Sequence, residues 1–478
     1  MALDPAQPIP LYFQLKTLLL EEILAGAYGA DGRLPTEHEL IDRYRISRTP
    51  VTRALSELAG EGVILRHRRR GTFVNPHWLR RRPEQPEVRI VVPEGPWDAL
   101  IRNGLPDEVQ VNIVTVPRPR LHQALTHAVG EGQAPDLAVL DSVWVSEFAA
   151  AGFLYALEDL DGDWLRLEHE ADFLAPLVAA DRYEGQTFGV SAAADVAGLW
   201  YRRREIEALG VGPPTTWAEL RSVAQALARS GMRHPIVMPG GSRGDETTTY
   251  VLTSVLASNG ACVVSPDGVA LDSRATAQAL RYLRRLVDDG LMPREVVSYE
   301  WNRPIRELAA GQAAVCFGGS YETAGLADAM NVSLEELWDH VGFVAVPAGP
   351  NGTPASVTGG MVLGIFRQAA QPRLAMRLLQ SVLAPDALER IAPRIGRVPP
   401  RRSAVSSPFG EFVVDLLGRA VTRPATPAYP RVSAQLQAML EAVLTGRLTP
   451  AAAAGRTAEM IGAITGLPVL HEGAVPVG

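Results

Sequence analysis

Apolar residues at Leu11, Leu15, Leu18, Leu19 and Ile23 recur with the period of an amphipathic helix, and Gly26 and Gly29 end it. Thr36 with Glu39 three positions later has the spacing of a capping box, so a second helix is expected from Thr36 to about Tyr44, with Leu40, Ile41 and Tyr44 on its apolar side. Arg45 and Ile46 form a turn, and Ser47 can cap a third helix reaching about Glu61. That helix has two faces: Val51, Leu55, Leu58 and Ala59 on one, Thr49, Thr52, Arg53 and Ser56 on the other. The run VILRHRRRGTFV then predicts two strands around an arginine-rich turn closed at Gly71. Two short helices joined tightly, the second small and basic on its outer side, followed by a basic hairpin, predict a winged helix-turn-helix.

After Val74 the pattern changes. HWLRRRPEQP (77–86) is polar, carries prolines and has no apolar period, and reads as a linker. Strands then alternate with helices: VRIVV (88–92), VQVNIVTV (109–116) and DLAVL (136–140) as strands, Leu121–Gly130 and WVSEFAAAG as helices. Apolar strands between helices predict parallel α/β sheets, and about 390 residues are roughly two lobes' worth. The expected organisation is therefore multidomain: residues 1–76 a winged helix-turn-helix, 77–87 a linker, 88–478 a two-lobed α/β body.

Charge sharpens this division. Residues 1–82 carry 13 Lys and Arg against 9 Asp and Glu, whereas the remainder carries 33 against 44, within a total of −7. A basic module on an acidic body suits a chain that brings one end to a polyanion. Lys16 is the single lysine among 46 basic residues, which excludes a phosphate-binding GK[ST] loop and a Schiff-base lysine beyond the first helix. The nine histidines form no HExxH or Cys/His cluster, and no G-x-S-x-G elbow occurs, so no catalytic constellation, metal or cofactor is expected. Cys262 and Cys316 sit in apolar runs and read as buried small hydrophobes. MALDPAQPIP lacks a basic segment followed by an apolar one, and no apolar stretch is long enough to span a bilayer. The expectation is a cytoplasmic protein without a membrane partner.

The string LPTEHEL, Arg45-Ile46-Ser47-Arg48-Thr49-Pro50-Val51, Arg53-Ala54-Leu55, Leu58, Glu61-Gly62 and Gly71-Thr72-Phe73-Val74 closely resembles the DNA-binding domain of the GntR family of transcription regulators. The resemblance implies double-stranded operator DNA as partner. It implies contacts from Arg48, Thr49 and Arg53, with Thr52 on the same outer face, and from Arg68, Arg69, Arg70 and Gly71 in the wing. Arginine's fork fits guanine edges and phosphate, in agreement with those roles. A single winged helix touches few bases, so a homodimer on a two-fold operator is expected.

Further along, APDLAVLDSVWVSEFAAAGFLYALEDL, YEGQTFGVSAAADVAGLWYRR, LGVGPPTTWAEL, ELAAGQAAVCFGGSYETAGL, VGFVAVPAGPNG, TGGMVLGIF and IGRVPPRRSA follow one another in an order similar to that of the family 1 extracellular solute-binding proteins. That likeness implies a type II periplasmic-binding-protein-like fold, two lobes closing over a sugar. It implies ligand contacts from Asp141, Ser142 and Trp144 after one strand, Asp195 in the crossing region, Trp301, Ser320 and Tyr321, and backbone approach at Gly359 and Gly360. Carboxylates suit sugar hydroxyls and aromatic rings cover apolar sugar faces. Two segments depart from the family: Tyr201 is followed by Arg202 rather than Asn or Asp, and PEGPWDALIRNGLP is short. The reading is a regulator answering a small polar effector, a mono- or oligosaccharide. The rival is a constitutive DNA-binding protein whose body is a degenerate receptor serving as an interaction platform; an aminotransferase-like body is excluded because its pyridoxal phosphate needs a lysine.

Overall fold

In the computed structural model, which describes residues 3, 11–24, 27–28, 32–60, 62–67, 70–76, 87–107 and 109–471, the chain begins with helices α1 (Leu11–Leu24), α2 (Glu37–Tyr44) and α3 (Arg48–Gly60) and strands β1 (Ile64–His67) and β2 (Gly71–Val74). The capping box forms as its spacing requires: the Glu39 amide donates to the Thr36 hydroxyl at 3.3 Å and the Thr36 amide to the Glu39 carboxylate at 2.7 Å. Arg45 ends α2 in the left-handed region (φ 51°, ψ 43°), which turns the chain into α3. The apolar stripes meet in one small core of Leu15, Leu19, Leu40, Val51, Leu55, Leu58 and Ile64. β1 and β2 pair antiparallel with Ile64 opposite Val74, and Leu34 donates to Thr72 at 2.9 Å to brace the hairpin against the entry to α2. Gly26 and Gly29, Arg68 and Arg69, and linker residues 77–86 lie outside the described residues.

The body is built on strands β3 (Glu87–Pro93), β4 (Gln110–Val116), β5 (Leu137–Asp141), β6 (Val190–Ser191), β7 (Asp195–Arg202), β8 (Ile236–Val237), β9 (Val315–Gly319), β10 (Val341–Val344), β11 (Thr358–Gly359) and β12 (Met361–Ile365). One lobe has the sheet order β4-β3-β5-β12-β6, parallel among its first three strands and closed by antiparallel β12; the other has β8-β9-β7-β10, with β11 also paired to β7. Each lobe has its own core, one around Val88, Leu137 and Phe148, the other around Trp200, Leu252 and Leu440. The parallel-sheet expectation therefore holds only for part of each sheet. β4 is an edge strand whose residues alternate between exposed and half-buried, with Val114 facing out, because only one of its faces is covered.

The chain passes between the two cores at residues 192–195, 359–361 and 395–398, where Ala194 bridges to Val398 and Gly359 pairs with Asp195. Three crossings make a hinge. At Gly360 (φ +146°) a side chain would meet the carbonyl of Ala193 at 2.9 Å, so glycine lets one crossing strand lie against another. Asp181 braces the first crossing from below: it is fully buried, accepts the Ser191 amide at 3.0 Å and its hydroxyl at 2.8 Å, and faces His169 at 3.0 Å. Cys262 is half-buried, Cys316 is buried in β9, and both are free. No described helix is long and apolar enough to cross a membrane.

Candidate functional site

Two sites follow from this frame, one on the head and one between the lobes. On the head, the first turn of α3 leaves Arg48 and Thr49 exposed, and Thr52 lies one turn further on the same side. Glu37, the first residue of α2, gathers this surface: it accepts from Arg66 of β1 at 2.5 Å and from the Thr52 hydroxyl at 3.4 Å, and pairs with Arg48 at 3.5 Å. The wing and the reading helix are thus held to one carboxylate. Arg70 is exposed at the turn and Gly71 takes φ +113°.

Arg53 lies on the exposed face, as expected, but its side chain is not free there. Its guanidinium lies 3.7 Å from the centroid of the Tyr12 ring, donates to the Tyr12 hydroxyl at 2.9 Å and pairs with Glu57 at 3.2 Å. It ties α3 to α1. We therefore expect Arg53→Ala to lower the melting temperature of the head together with its operator affinity. Arg48→Ala should cost roughly 1–3 kcal/mol of specific binding without a stability change. Gel-shift titrations on operator and random DNA beside calorimetric melting would check both, and equal losses on the two DNAs for Arg48→Ala would remove it from base reading.

Between the lobes lies a cleft of about 910 Å³. β5 ends in Asp141, which accepts the Val143 amide at 3.3 Å and reaches Arg423 of the other lobe at 3.5 Å. Asp195, the first residue of β7, pairs with Arg397 at 3.5 Å. The end of β9 delivers Tyr321, and Trp301 lies on the same lobe. Gly359 permits the close approach of Tyr250, whose hydroxyl would sit 2.7 Å from an added side chain. Asp141, Asp195, Trp301, Tyr321, Gly359 and Gly360 all line the cleft.

Three other expected residues are not in the lining. Trp144 turns onto the flank of its own lobe, 5.0 Å from the His122 ring and 6.4 Å from Phe148, because the turn after Asp141 carries it round to that apolar side. Ser142 donates its amide to the Gly360 carbonyl at 3.1 Å and so holds a crossing strand. Ser320 lies behind Asp195, accepting the Val196 amide at 3.0 Å and donating to Asp195 at 3.4 Å.

Sequence reasoning missed several charged and aromatic lining residues, among them Trp97, Arg118, Glu246, Tyr250, Glu322, Arg397 and Arg423. Trp97 sits in the short segment after β3 and carries Arg397 at 5.2 Å over its ring. Helix α4 (Glu246–Ala257) presents Glu246, which accepts from Arg423 at 2.6 Å and from Ser433 at 2.7 Å in helix α5 (Tyr429–Leu444). Position at the C-terminal end of a strand could have pointed to Arg118, which follows β4; nothing local pointed to Arg423.

Burial sets the protonation of the floor. Glu322 is pushed up to about 8 by burial, against the Gly319 amide that donates to it at 3.0 Å, so near neutral pH it is largely uncharged. Burial also raises Asp195, with Arg397 and Arg118 working against the shift. A carboxyl raised in the folded state stabilises most below its ordinary value and loses that contribution as pH climbs through the folded value. Glu322→Gln keeps a carbonyl acceptor for Gly319. The melting temperature of the wild type should therefore fall below that of the variant as pH rises from about 6 to about 9, the window ending above the raised value. Parallel melting curves across that range would show that Glu322 ionises normally.

Comparison with known proteins agrees with this division. Residues 94–389 match the family described as bacterial extracellular solute-binding protein, and residues 11–74 match bacterial regulatory proteins, gntR family. A binding protein of Brucella abortus (strain 2308) is 23% identical over 383 residues, 76% of this chain and 90% of its own. The fructoselysine utilization operon transcriptional repressor of Escherichia coli (strain K12) is 41% identical over 64 residues, 13% of this chain and 26% of its own. Among solved structures, an ABC transporter solute-binding protein of Thermotoga lettingae bound with alpha-D-tagatose has TM-score 0.72 at 23% identity, covering 80% of this chain and 100% of that one. Maltose-bound MalE3 of T. maritima has TM-score 0.71 at 25% identity, covering 79% and 99%.

Proposed function

The chain belongs to the bacterial extracellular solute-binding protein family and carries a gntR-family regulatory domain ahead of it, and from that premise we propose that it is a transcription regulator whose operator binding answers a saccharide. The observation that carries this reading is the cleft itself. It is lined from both lobes by carboxylates, arginines and aromatic rings, in one chain with a winged helix-turn-helix. Such a lining offers hydrogen bonds to hydroxyl groups and ring faces to the apolar side of a sugar. The solved structures named above hold alpha-D-tagatose and maltose, which supports the ligand class.

The protein acts, on this reading, in the cytoplasm as a homodimer on a two-fold operator. One winged helix reads too few bases to select a site alone, and symmetry doubles the contact. The test is a thermal-shift screen of the full chain against mono- and oligosaccharides, followed by operator titration with each hit. A ligand that binds only the folded state raises the melting temperature, by the equivalent of about 2.7 kcal/mol at a hundredfold excess over Kd. A hit that raises the melting temperature yet leaves operator affinity unchanged would reject the sensor and favour a constitutive regulator.

A further inference from the structure

Five arginines line the cleft; Arg306 and Arg394 are exposed, and the other three, Arg118, Arg397 and Arg423, are less so and have their charges met differently. Arg423 lies between Asp141 at 3.5 Å and Glu246 at 2.6 Å, and Arg397 lies 3.5 Å from Asp195. Arg118 has no carboxylate within 4 Å among the described residues. Its guanidinium lies instead 5.2 Å from the ring centroids of both Trp301 and Tyr321, with the Tyr321 hydroxyl beside it. Asp141 and Asp245 act on it only from beyond pairing distance. Its other near neighbour, Glu322, is kept largely uncharged by burial.

A guanidinium has faces for stacking and an edge for donating, and the two uses do not compete. Arg118 lies at ring distance from Trp301 and Tyr321 and hydrogen-bonds the Tyr321 hydroxyl, which occupies only part of its five-donor guanidinium; a planar fork of donors matches a carboxylate or phosphate in two parallel hydrogen bonds. The rings also hold the side chain in place, which reduces the rotamer freedom lost on binding. Arg118 comes from one lobe and both rings from the other. The braced arginine therefore exists only with the lobes together.

We propose that the effector carries an acidic group, a carboxylate or a phosphate on a polyhydroxy frame, seated on Arg118 between Trp301 and Tyr321. This rests on the saccharide reading of the same cleft. It separates Arg118, which would take the charge, from Arg397 and Arg423, whose charges carboxylates already meet.

Isothermal titration of the full chain with glucose, glucuronate and glucose 6-phosphate, and with the three corresponding galactose compounds, tests it. At least one acidic member should bind roughly tenfold or more tightly than its neutral parent, the value of a charge-assisted pair of hydrogen bonds. Whether that member is a uronate or a phosphate decides between the two anions. Arg118→Gln should erase the preference, and Arg118→Lys, which keeps the charge but loses the planar fork, should restore part of it. Equal binding of neutral and acidic members by the wild type would overturn the proposal and leave the saccharide reading standing. A preference that survives Arg118→Gln would overturn the assignment of Arg118. No binding by any of the six would overturn both.

Discussion

Filling the cleft should change operator affinity by roughly 5- to 150-fold, a coupling of about 1–3 kcal/mol. A ligand held between Asp141 on one lobe and Asp195 and Tyr321 at the hinge and the other lobe would have contacts that exist only when the lobes meet. Its binding energy therefore favours one arrangement of the body over others, and a ligand shifts such an equilibrium only by that difference. In a dimer, a change in the body can alter the spacing of the two heads, and half-site spacing is a strict geometric demand. Linkage makes the effect reciprocal: if ligand weakens operator binding by some factor, operator weakens ligand binding by the same factor. Asp141→Ala and Asp195→Ala should lose the ligand response while their ligand-free forms still retard the operator. Calorimetry with and without operator, beside gel-shift titration with and without ligand, measures both directions. Unchanged response in both variants would place the ligand elsewhere, and unequal factors would mean that a third equilibrium intervenes.

Arg423→Ala should lower the stability of the body by about 3–5 kcal/mol at neutral pH, the usual cost of removing one partner from a buried ionic group. Arg423 is almost wholly buried between Asp141 and Glu246, with its guanidinium 5.1 Å from the Tyr250 ring. Without it, two carboxylates remain in a desolvated site, and burial already pushes Glu246 above the ordinary carboxyl range, Arg423 being the largest force against that shift. The loss should shrink toward acid pH, where those carboxyls take up protons and no longer need a cation. Adding Glu246→Gln to Arg423→Met should recover part of the stability, because it removes one uncompensated charge and keeps the volume. Urea unfolding near neutral and near pH 5 would follow both effects. A deficit that stays constant with pH would mean that packing against Tyr250, rather than charge, is what Arg423 contributes.

The head was legible because its determinants are local. Thr36 and Glu39 lie on consecutive turns, and the apolar stripes of α1 and α3 have the helical period, so start, stop and buried face follow from neighbours in the chain. Arg53 shows the limit of that reasoning. Helical phase put it on the outward face, but whether it is free there depends on Tyr12, 41 positions away, whose ring takes its guanidinium. In the body, the C-terminal end of β5 pointed to Asp141, which lines the cleft, as α/β sheets place such groups; Asp195 opens β7 and reaches the cleft from the hinge instead. The same rule missed Trp144, since three residues of turn are enough to rotate a side chain from the cleft to the flank.

The order of helices and strands in the head, the basic head, the acidic body and the absence of a lysine for covalent chemistry were determined by the sequence alone, because periodicity, capping and composition act over a few residues or over the sum of all of them. Which arginines face the cleft, and which of them find a carboxylate, only the tertiary structure decided. Arg423 and Glu246 are 177 positions apart and carry no mark of each other in the residues around them. Arg118 is left with rings rather than an anion because two lobes bring Trp301 and Tyr321 to it. Charge pairing in a buried cleft depends on distance and desolvation, and both arise only once the chain has crossed between the lobes three times.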